Sequence, residues 1–193
     1  MSIPDISRRR FVSALPLTVL AAPSSLSALE NSPGREGLGQ AQPLGFSGPF
    51  TETEAAAVAA SPMAREIAGL NGKGHPCSEM ILLAALRRFG LPENHLDAAA
   101  VFGGGAGKRD LCGLLTGGLM AIGFAAGEKY ADRGQVHQVG RAASNAYWDW
   151  WLTRGDLHCM GEGTTHETSE EYVRMCQRAA VKLEAVMLEA VGA

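Results

Sequence analysis

The chain has 193 residues with 17 basic and 20 acidic side chains, which gives a formal net charge of −3 and a pI near 6.0. This balance, with no long basic run in the body of the chain, excludes the electrostatic footprint of a nucleic-acid-binding protein, so no nucleic-acid partner is expected. An apolar content of 46% with 6% aromatic residues fits one globular domain with a substantial core.

Residues 1–30 have the features of an export signal. Paired arginines in the segment Ser7–Val12 directly precede an apolar run from Phe11 to Ala22. This run is too short to cross a bilayer, which needs about 20 apolar residues. The arrangement resembles a twin-arginine signal. We therefore expect export through the twin-arginine route to the periplasm or another extracytoplasmic space, with no stable membrane span after signal cleavage.

Residues 31–50 are rich in Gly, Pro, Ser and Gln, and this composition predicts an extended linker or strap. Residues 51–193 are predicted to form one helical domain, because helical signals dominate and no convincing alternating strand pattern occurs. The predicted fold class is all-α, a single-domain bundle of about five to seven helices. In chain order, the predicted helices run from Thr51 or Thr53 to Ser61, from Pro62 to Leu70, from Pro76 to Phe89, from Pro92 to Gly103, from Leu111 to Gly127, from Gln135 to Thr153 and from Ser169 to Val191.

The helix predicted over Leu111–Gly127 contains no charged residue. Its length lies at the lower edge of a transmembrane span, for which about 17 residues is the minimum. However, its several glycines reduce both hydrophobicity and helix propensity. We predict a buried helix with small residues for close packing.

The four cysteines of the chain are the candidate functional residues. An even number of cysteines in an exported chain can form two disulfides, because the periplasm is oxidising. The positions indicate a more specific role. Cys77 and Cys112 are predicted in the first turns of helices, where positive potential and unpaired N–H groups favour a thiolate. Cys176 lies on an apolar stripe of the last helix, and Cys159 lies in an irregular segment.

Other features of the sequence bear on these sulfurs. Lys108 and Arg109 are close in sequence to Cys112 and are expected to favour its thiolate further. There is no C-x-x-C and no C-x-x-C-H motif, so a thioredoxin-like dithiol, an ordinary zinc ribbon and covalently attached c-type haem are not supported.

The order of these residues resembles a known family, the four-cysteine redox-active proteins named for a C…GCAxxG…C…C signature. The family's first cysteine opens a helix that ends in Phe-Gly-Leu, and here Cys77 precedes Phe89–Leu91 in the same way. The family's glycine-rich turn is matched by Phe102–Gly105 and its Cys-Gly-Ala-x-x-Gly-Gly helix by Cys112–Gly118. The third and fourth cysteines then follow in order, and the resemblance covers about residues 61–191.

This resemblance implies redox activity at the cysteines. Related domains occur in a split-Soret cytochrome, in which similar cysteines are associated with an iron–sulfur centre. One departure concerns Leu114, which stands where the family has a small alanine, so packing around Cys112 is expected to differ.

Several neighbouring residues are further candidates for the site. The segment Gly103–Lys108 looks like a phosphate loop, but Phe102 and Arg109 occupy positions where a P-loop needs glycine and a hydroxyl residue. A flexible turn that approaches Cys112 is the better interpretation, and it makes Gly105 and Gly113 candidates for contact with a cofactor. His75 and His158 neighbour cysteines in sequence and are candidates to complete a mixed Cys/His metal site, although exposed loop histidines are the preferred interpretation.

Three functions remain open at this point. The leading hypothesis is that Cys77, Cys112, Cys159 and Cys176 hold an iron–sulfur cluster or a soft metal such as Zn or Cu, for electron transfer or metal handling. The first alternative is a metal-free thiol–disulfide redox protein in which Cys77 and Cys112 form one exchanging pair. The second is a non-catalytic helical domain stapled by two disulfides. The first two hypotheses call for a redox or transport partner protein.

Overall fold

The computed structural model describes residues 46, 48–154, 157–159 and 169–192. The predicted signal segment 1–30 and most of the predicted linker 31–50 lie outside these described residues. Over the described ranges the fold is all-α and a single-domain bundle, which confirms the predicted fold class. Its α-helices are α1 (Glu52–Ala60), α2 (Pro62–Leu70), α3 (Cys77–Arg88), α4 (Gly113–Lys129), α5 (Arg133–Arg154) and α6 (Glu170–Val191).

Polar side chains fix where three of these helices begin. Thr51 caps α1, because its hydroxyl accepts a hydrogen bond from the Glu54 N–H while the Glu54 carboxylate accepts one from the Thr51 N–H. Ser61 caps α2 and Ser169 caps α6, each accepting a bond from an N–H three residues further along the chain. These starts agree with the sequence-based boundaries.

The segment after Pro92 differs from the prediction of an α-helix. It forms a short 3₁₀ helix, Glu93–Ala99, followed by a loop over Gly104–Gly107 in which every residue has a left-handed backbone conformation. Only one large apolar side chain, Leu96, is available in the 3₁₀ segment, so little apolar surface supports additional α-helical turns.

Close contact between α3 and α4 forms the centre of the bundle. At Gly117 a Cβ atom would lie 2.3 Å from the carbonyl oxygen of Ser78 and 2.6 Å from Cγ2 of Ile81, so glycine is needed for the two helices to approach. The prediction of a buried helix with small residues is therefore confirmed. No helix among the described residues combines the length and apolar character needed to cross a membrane.

A buried ionic contact attaches the chain before α1 to the bundle. Arg178 on α6 is 6% exposed and donates hydrogen bonds to the carbonyl oxygens of Phe46 (2.8 Å) and Pro49 (3.0 Å). The same guanidinium pairs with the Glu54 carboxylate at 3.0 Å, and the Phe46 ring packs against Trp151 at 4.6 Å between centroids. The few described residues before α1 therefore lie on α5 and α6.

Candidate functional site

Cys77 is the first residue of α3 and is half-buried. Its sulfur lies directly against the backbone of Gly113, where a Cβ atom would be only 2.4 Å from Cys77 Sγ. Backbone N–H groups of Ser78, Gly104 and Gly113 donate hydrogen bonds to this sulfur. These donors come from the start of α3, the left-handed loop and the start of α4. Three elements of the fold thus direct positive dipoles at one sulfur.

Cys112 is the N-cap residue of α4 and is 7% exposed. The backbone N–H groups of Leu114 and Leu115, in the first turn of α4, lower the pKa of this thiol, although its side chain forms no capping hydrogen bond. Its own N–H donates to the carbonyl oxygen of Leu157 at 2.7 Å. The sulfur is therefore buried, but it faces a helix start in the way the sequence predicts.

Cys159 is joined to the site through the backbone. Leu111 and His158 form an isolated antiparallel bridge, and the Cys159 N–H donates to the carbonyl oxygen of Asp110 at 2.7 Å. Side chains alternate between the two faces of extended backbone, so Cys112 and Cys159 lie on the same face of this pairing, opposite to Leu111 and His158. The irregular segment after α5 thereby brings its cysteine beside Cys112.

Cys176 lies inside the bundle on α6 and is 2% exposed, as its apolar stripe predicts. The phenol of Tyr172, four residues earlier on the same helix, hydrogen-bonds to its sulfur. Residues four apart face each other on a helix, which explains this contact.

The sulfurs are close enough to influence one another. Charge on Cys77 or Cys159 acts on Cys112, charge on Cys159 acts on Cys77, and charge on Cys77 or Cys112 acts on Cys176. All four cysteines are free thiols in this structure. Cys77, Cys112 and Cys176, together with Cys159 beside the backbone bridge, therefore lie at one end of the bundle.

The protonation of these thiols differs from the sequence-based expectation. Burial raises the pKa of Cys77, raises the pKa of Cys112 to about 12, and raises the pKa of Cys176 as well. The N–H groups at the helix starts lower the pKa of Cys77 and Cys112, but removal of solvent outweighs them. The predicted thiolate preference is therefore wrong for the resting state.

Lys108 and Arg109 were expected to add to that preference. Both side chains are exposed and directly follow the left-handed loop, where solvent screens their charge from the buried Cys112 sulfur. The principal causes of the pKa shift of Cys112 include neither of them.

Two tyrosines lie near the sulfurs, Tyr147 fully buried and Tyr172 partly buried. The Tyr147 hydroxyl donates to the carbonyl oxygen of Leu114 at 3.1 Å, and burial raises the pKa of Tyr147 and Tyr172. Trp151, 1% exposed, packs edge-on against Tyr147 at 6.3 Å between centroids. Both phenols therefore remain protonated donors.

The remaining sequence candidates have other contacts. His75 Nδ1 lies 2.8 Å from the Glu79 carboxylate, and His158 Nε2 lies 3.7 Å from that of Asp110. Gly105 is buried with a φ of 62°, and a Cβ there would meet the Asp110 nitrogen at 2.5 Å. Gly105 thus has a clear role in closing the left-handed loop, and Gly113 has one in seating the Cys77 sulfur.

Sequence reasoning missed the role of Tyr172. Its spacing of four residues before Cys176 was a usable signal, because such pairs meet on a helix face. The backbone attachment of Cys159 had no comparable signal, since any residues can form that bridge.

Comparison with known proteins adds one finding. A family described as "Putative redox-active protein (C_GCAxxG_C_C)" matches residues 75–188, which is more than half of the chain. The matched range contains all four cysteines. Neither a curated protein nor a solved structure shows significant similarity to the chain. The chain belongs to this four-cysteine redox-active family.

Proposed function

We propose that the chain is a thiol–disulfide redox protein in which Cys77 and Cys112 form the exchanging pair. The observation that carries this proposal is the environment of the Cys77 sulfur. This sulfur is half-buried and accepts hydrogen bonds from the backbone N–H groups of Ser78, Gly104 and Gly113. It also interacts with the buried Cys112 sulfur. One accessible and one buried thiol are the parts that a dithiol exchange requires.

The two thiols have different roles in this reaction. The Cys77 thiol loses its proton to solvent, and its thiolate attacks a disulfide of the partner, forming a mixed disulfide and releasing one partner thiolate. The Cys112 thiol then gives up its proton and its sulfur attacks the Cys77 sulfur, which forms the Cys77–Cys112 disulfide. The second partner sulfur leaves as a thiolate and takes up that proton. Two electrons pass to the partner, and the reverse sequence returns them. The N–H groups around Cys77 stabilise its thiolate when it forms.

The surface beside Cys77 suits a protein partner. Val101 is 72% exposed and lies directly before the Phe102–Gly105 turn. Gly104 of this turn contacts the Cys77 sulfur. An exposed apolar side chain at this position offers a contact for a redox partner docking over the sulfur.

Redox titration of three variants, each with one cysteine replaced by serine, tests the proposal. We expect Cys77→Ser to abolish reaction with glutathione disulfide and Cys112→Ser to accumulate a mixed disulfide at Cys77. Cys159→Ser, the matched control, should keep a reversible two-electron couple. Retention of that couple by Cys77→Ser would contradict the proposal.

A second candidate function is ligation of an iron–sulfur cluster or a soft metal by the four thiolates. The gathering of four sulfurs at one end of the bundle supports it, because thiolates select such metals. Among the described residues, however, no group of three or more Cys, His, Asp or Glu side chains is spaced to hold a metal ion. The described side chains therefore do not present a ligand set that fits a cluster or a soft metal ion.

Anaerobic purification with metal analysis and absorption spectroscopy distinguishes the two candidates. Stoichiometric iron with visible absorption, or bound Zn or Cu that protects the thiols from alkylation, would favour the metal-site candidate. Colourless, metal-free protein with titratable thiols would favour dithiol exchange. Two disulfides that resist mild reductant would instead favour a purely structural role for the cysteines.

Export is a further part of the proposal and rests on the sequence of residues 1–30. We expect replacement of Arg8 and Arg9 by Lys to block export of the full chain in cells with an intact twin-arginine system. Unchanged appearance of the protein outside the cytoplasm would contradict this route.

A further inference from the structure

One buried hydroxyl group beside the proposed exchanging pair has no part in capping a helix. Ser61 (7% exposed) and Ser78 (0% exposed) are the buried serines of the part of the chain that the structure describes. Ser61 caps α2, whereas α3 has no side-chain cap hydrogen bond and Ser78 lies inside its first turn. A buried hydroxyl costs free energy unless it is hydrogen-bonded, so the partner of Ser78 indicates what this side chain does.

The partner of the Ser78 hydroxyl is the main chain of a segment far away in sequence. Its Oγ donates a hydrogen bond of 2.9 Å to the carbonyl oxygen of Ala99, the last residue of the 3₁₀ helix. The same carbonyl oxygen accepts the N–H of Phe102 at 3.0 Å. One buried carbonyl group therefore connects the first turn of α3 to the start of the Phe102–Gly105 turn, which we call the glycine turn.

The glycine turn lies directly beside Cys77. A Cβ atom at Gly103 would stand 2.4 Å from Cβ of Pro76, the residue before Cys77. A Cβ atom at Gly113 would stand 2.4 Å from Cys77 Sγ and 3.2 Å from the Phe102 carbonyl oxygen. The sulfur and the glycine turn thus lie against the same glycine. The turn is therefore one wall of the space around the Cys77 sulfur, and Gly113 is another.

Local backbone preferences do little to hold the glycine turn in place. Gly104 and Gly105 have φ values of 60° and 62°, and Ala106 continues the left-handed conformation with a φ of 56°. Glycine leaves this conformation easily, and alanine is strained in it. The main-chain hydrogen bond that closes the turn, from the Ala106 N–H to the Phe102 carbonyl oxygen, is 3.3 Å long. The connection to α3 through the Ser78 hydroxyl is therefore needed to keep this wall fixed.

We propose that Ser78 is a positioning residue for the exchange at Cys77. Its hydroxyl, acting through the Ala99 carbonyl, holds the glycine turn as a fixed wall and thereby sets the size of the disulfide that reaches the sulfur. This inference rests on the proposed dithiol exchange, because it takes Cys77 as the attacking thiol. Cys77 is half-buried, so a fixed wall admits small disulfides, or a disulfide on a narrow exposed segment of a partner, and excludes broad ones.

Two maleimides that share a reactive group but differ in size test this role. Peptide mapping after timed quenching gives the rates at which N-ethylmaleimide and the bulkier N-(1-pyrenyl)maleimide modify Cys77 in the native reduced chain. Because both reagents react with the same thiolate, the ratio of the two rates does not depend on the protonation of Cys77.

Ser78→Ala removes the hydroxyl and keeps the backbone N–H. We expect the advantage of N-ethylmaleimide over the bulky reagent to shrink by at least about threefold, since loss of one buried hydrogen bond shifts a local opening equilibrium by about that factor. The ratio of the reaction rates with bis(2-hydroxyethyl) disulfide and the larger glutathione disulfide should shrink in the same direction.

Ser61→Ala is the matched control, because it also removes a buried hydroxyl. The Ser61 Oγ accepts the Ala64 N–H at 3.0 Å and donates to the Glu184 carboxylate, at the start of α2. We expect this variant to lower the free energy of unfolding in urea, as Ser78→Ala does, and to keep the wild-type rate ratio at Cys77. Protection of Cys176 from both maleimides checks that each variant stays folded during the reaction.

Hydrogen exchange in the wild type gives a test that needs no variant. The Phe102 amide should be protected, because its hydrogen bond to the Ala99 carbonyl oxygen is part of the connection to α3. Exchange of this amide at the rate of an unstructured chain would overturn the proposal.

The outcomes separate this inference from the function on which it rests. An unchanged rate ratio in folded Ser78→Ala, or an equal change in Ser61→Ala, would overturn the role given to Ser78 and leave dithiol exchange intact. Failure of the wild-type Cys77 to react with glutathione disulfide would instead contradict the exchange itself, whatever the ratio of the maleimide rates.

Discussion

The Cys77 sulfur rests on the bare α-carbon of Gly113, so close that a Cβ atom at position 113 would stand 2.4 Å from Cys77 Sγ. The same glycine also donates its N–H to this sulfur. The contact joins the first residue of α3 to the first residue of α4. Gly113, which follows the second cysteine of the signature, therefore contacts the first cysteine, Cys77, although the two residues are far apart in sequence.

Gly113→Ala should therefore disturb Cys77 more than Cys112. We expect the free energy of unfolding to fall by about 1–3 kcal/mol, because the added methyl group overpacks the contact. The reaction of Cys77 with glutathione disulfide should also slow, since the sulfur is pushed away from its N–H donors. Urea denaturation and stopped-flow kinetics measure the two effects.

Gly123→Ala on the same helix is the control. Nothing lies within 4 Å of a Cβ at that position, so alanine should raise the free energy of unfolding by about 0.5–1 kcal/mol. Equal effects of the two substitutions would contradict the assigned contact.

Alkylation of the native reduced protein should divide the cysteines into two classes. Cys77 and Cys159 are half-buried, whereas Cys112 and Cys176 are 7% and 2% exposed. We expect iodoacetamide to modify the first pair at least about tenfold faster, because the second pair reacts only through opening of the bundle. Peptide mapping after timed quenching gives the rates, and in urea the difference should disappear. Early modification of Cys176 would be inconsistent with its position in the core.

Alkaline pH should destabilise the reduced protein. Burial raises the pKa of Cys112 from 9.0 to about 12, so between these values the folded state keeps a proton that the unfolded state has lost. The stabilising contribution is complete below about pH 9 and is lost as pH rises toward 12, at about 1.4 kcal/mol per pH unit for this thiol. Urea midpoints from pH 7 to 11 measure the slope. Cys112→Ser should flatten it, and an unchanged slope would argue against a buried thiol.

Glu54 should confer the opposite dependence at acid pH. The hydrogen bond from Arg178 lowers the pKa of the Glu54 carboxyl from 4.5 to about 2. Its stabilising contribution is present above about pH 4.5 and is lost as pH falls toward 2, and we expect it to be about 1–2 kcal/mol because solvent screens part of the pair. Thermal unfolding from pH 7 to 3 measures this. Glu54→Gln should weaken the dependence, while Glu52→Gln, at an exposed position in the same turn, should leave it unchanged.

The helices of the fold were largely predictable from the sequence because local signals set their ends. Thr51, Ser61 and Ser169 cap the helices they were expected to cap. The chain between Pro92 and Cys112 was not predictable in the same way. Ala106 adopts a φ of 56°, and a left-handed alanine has no signature in the sequence because surrounding contacts impose it.

The site was predictable in its members but not in its electrostatics. The positions of Cys77 and Cys112 at helix starts follow from Pro76 and the glycine-rich loop, and N–H groups do face both sulfurs. How far each sulfur is removed from solvent depends on the packing of four helices, which local sequence does not encode. Burial therefore reverses the expected direction of the pKa of Cys112.

The antiparallel bridge between Leu111 and His158 has a consequence for how this site can vary. Cys159 is held by hydrogen bonds between main-chain atoms, and Leu111 also packs against the core of the bundle. The number of residues on each side of the bridge is more tightly constrained. A shift of one residue along the pairing would turn Cys159 to the face opposite Cys112. The position of Cys159 should therefore be more sensitive to a single-residue insertion next to this pairing than to substitution of the exposed His158 side chain.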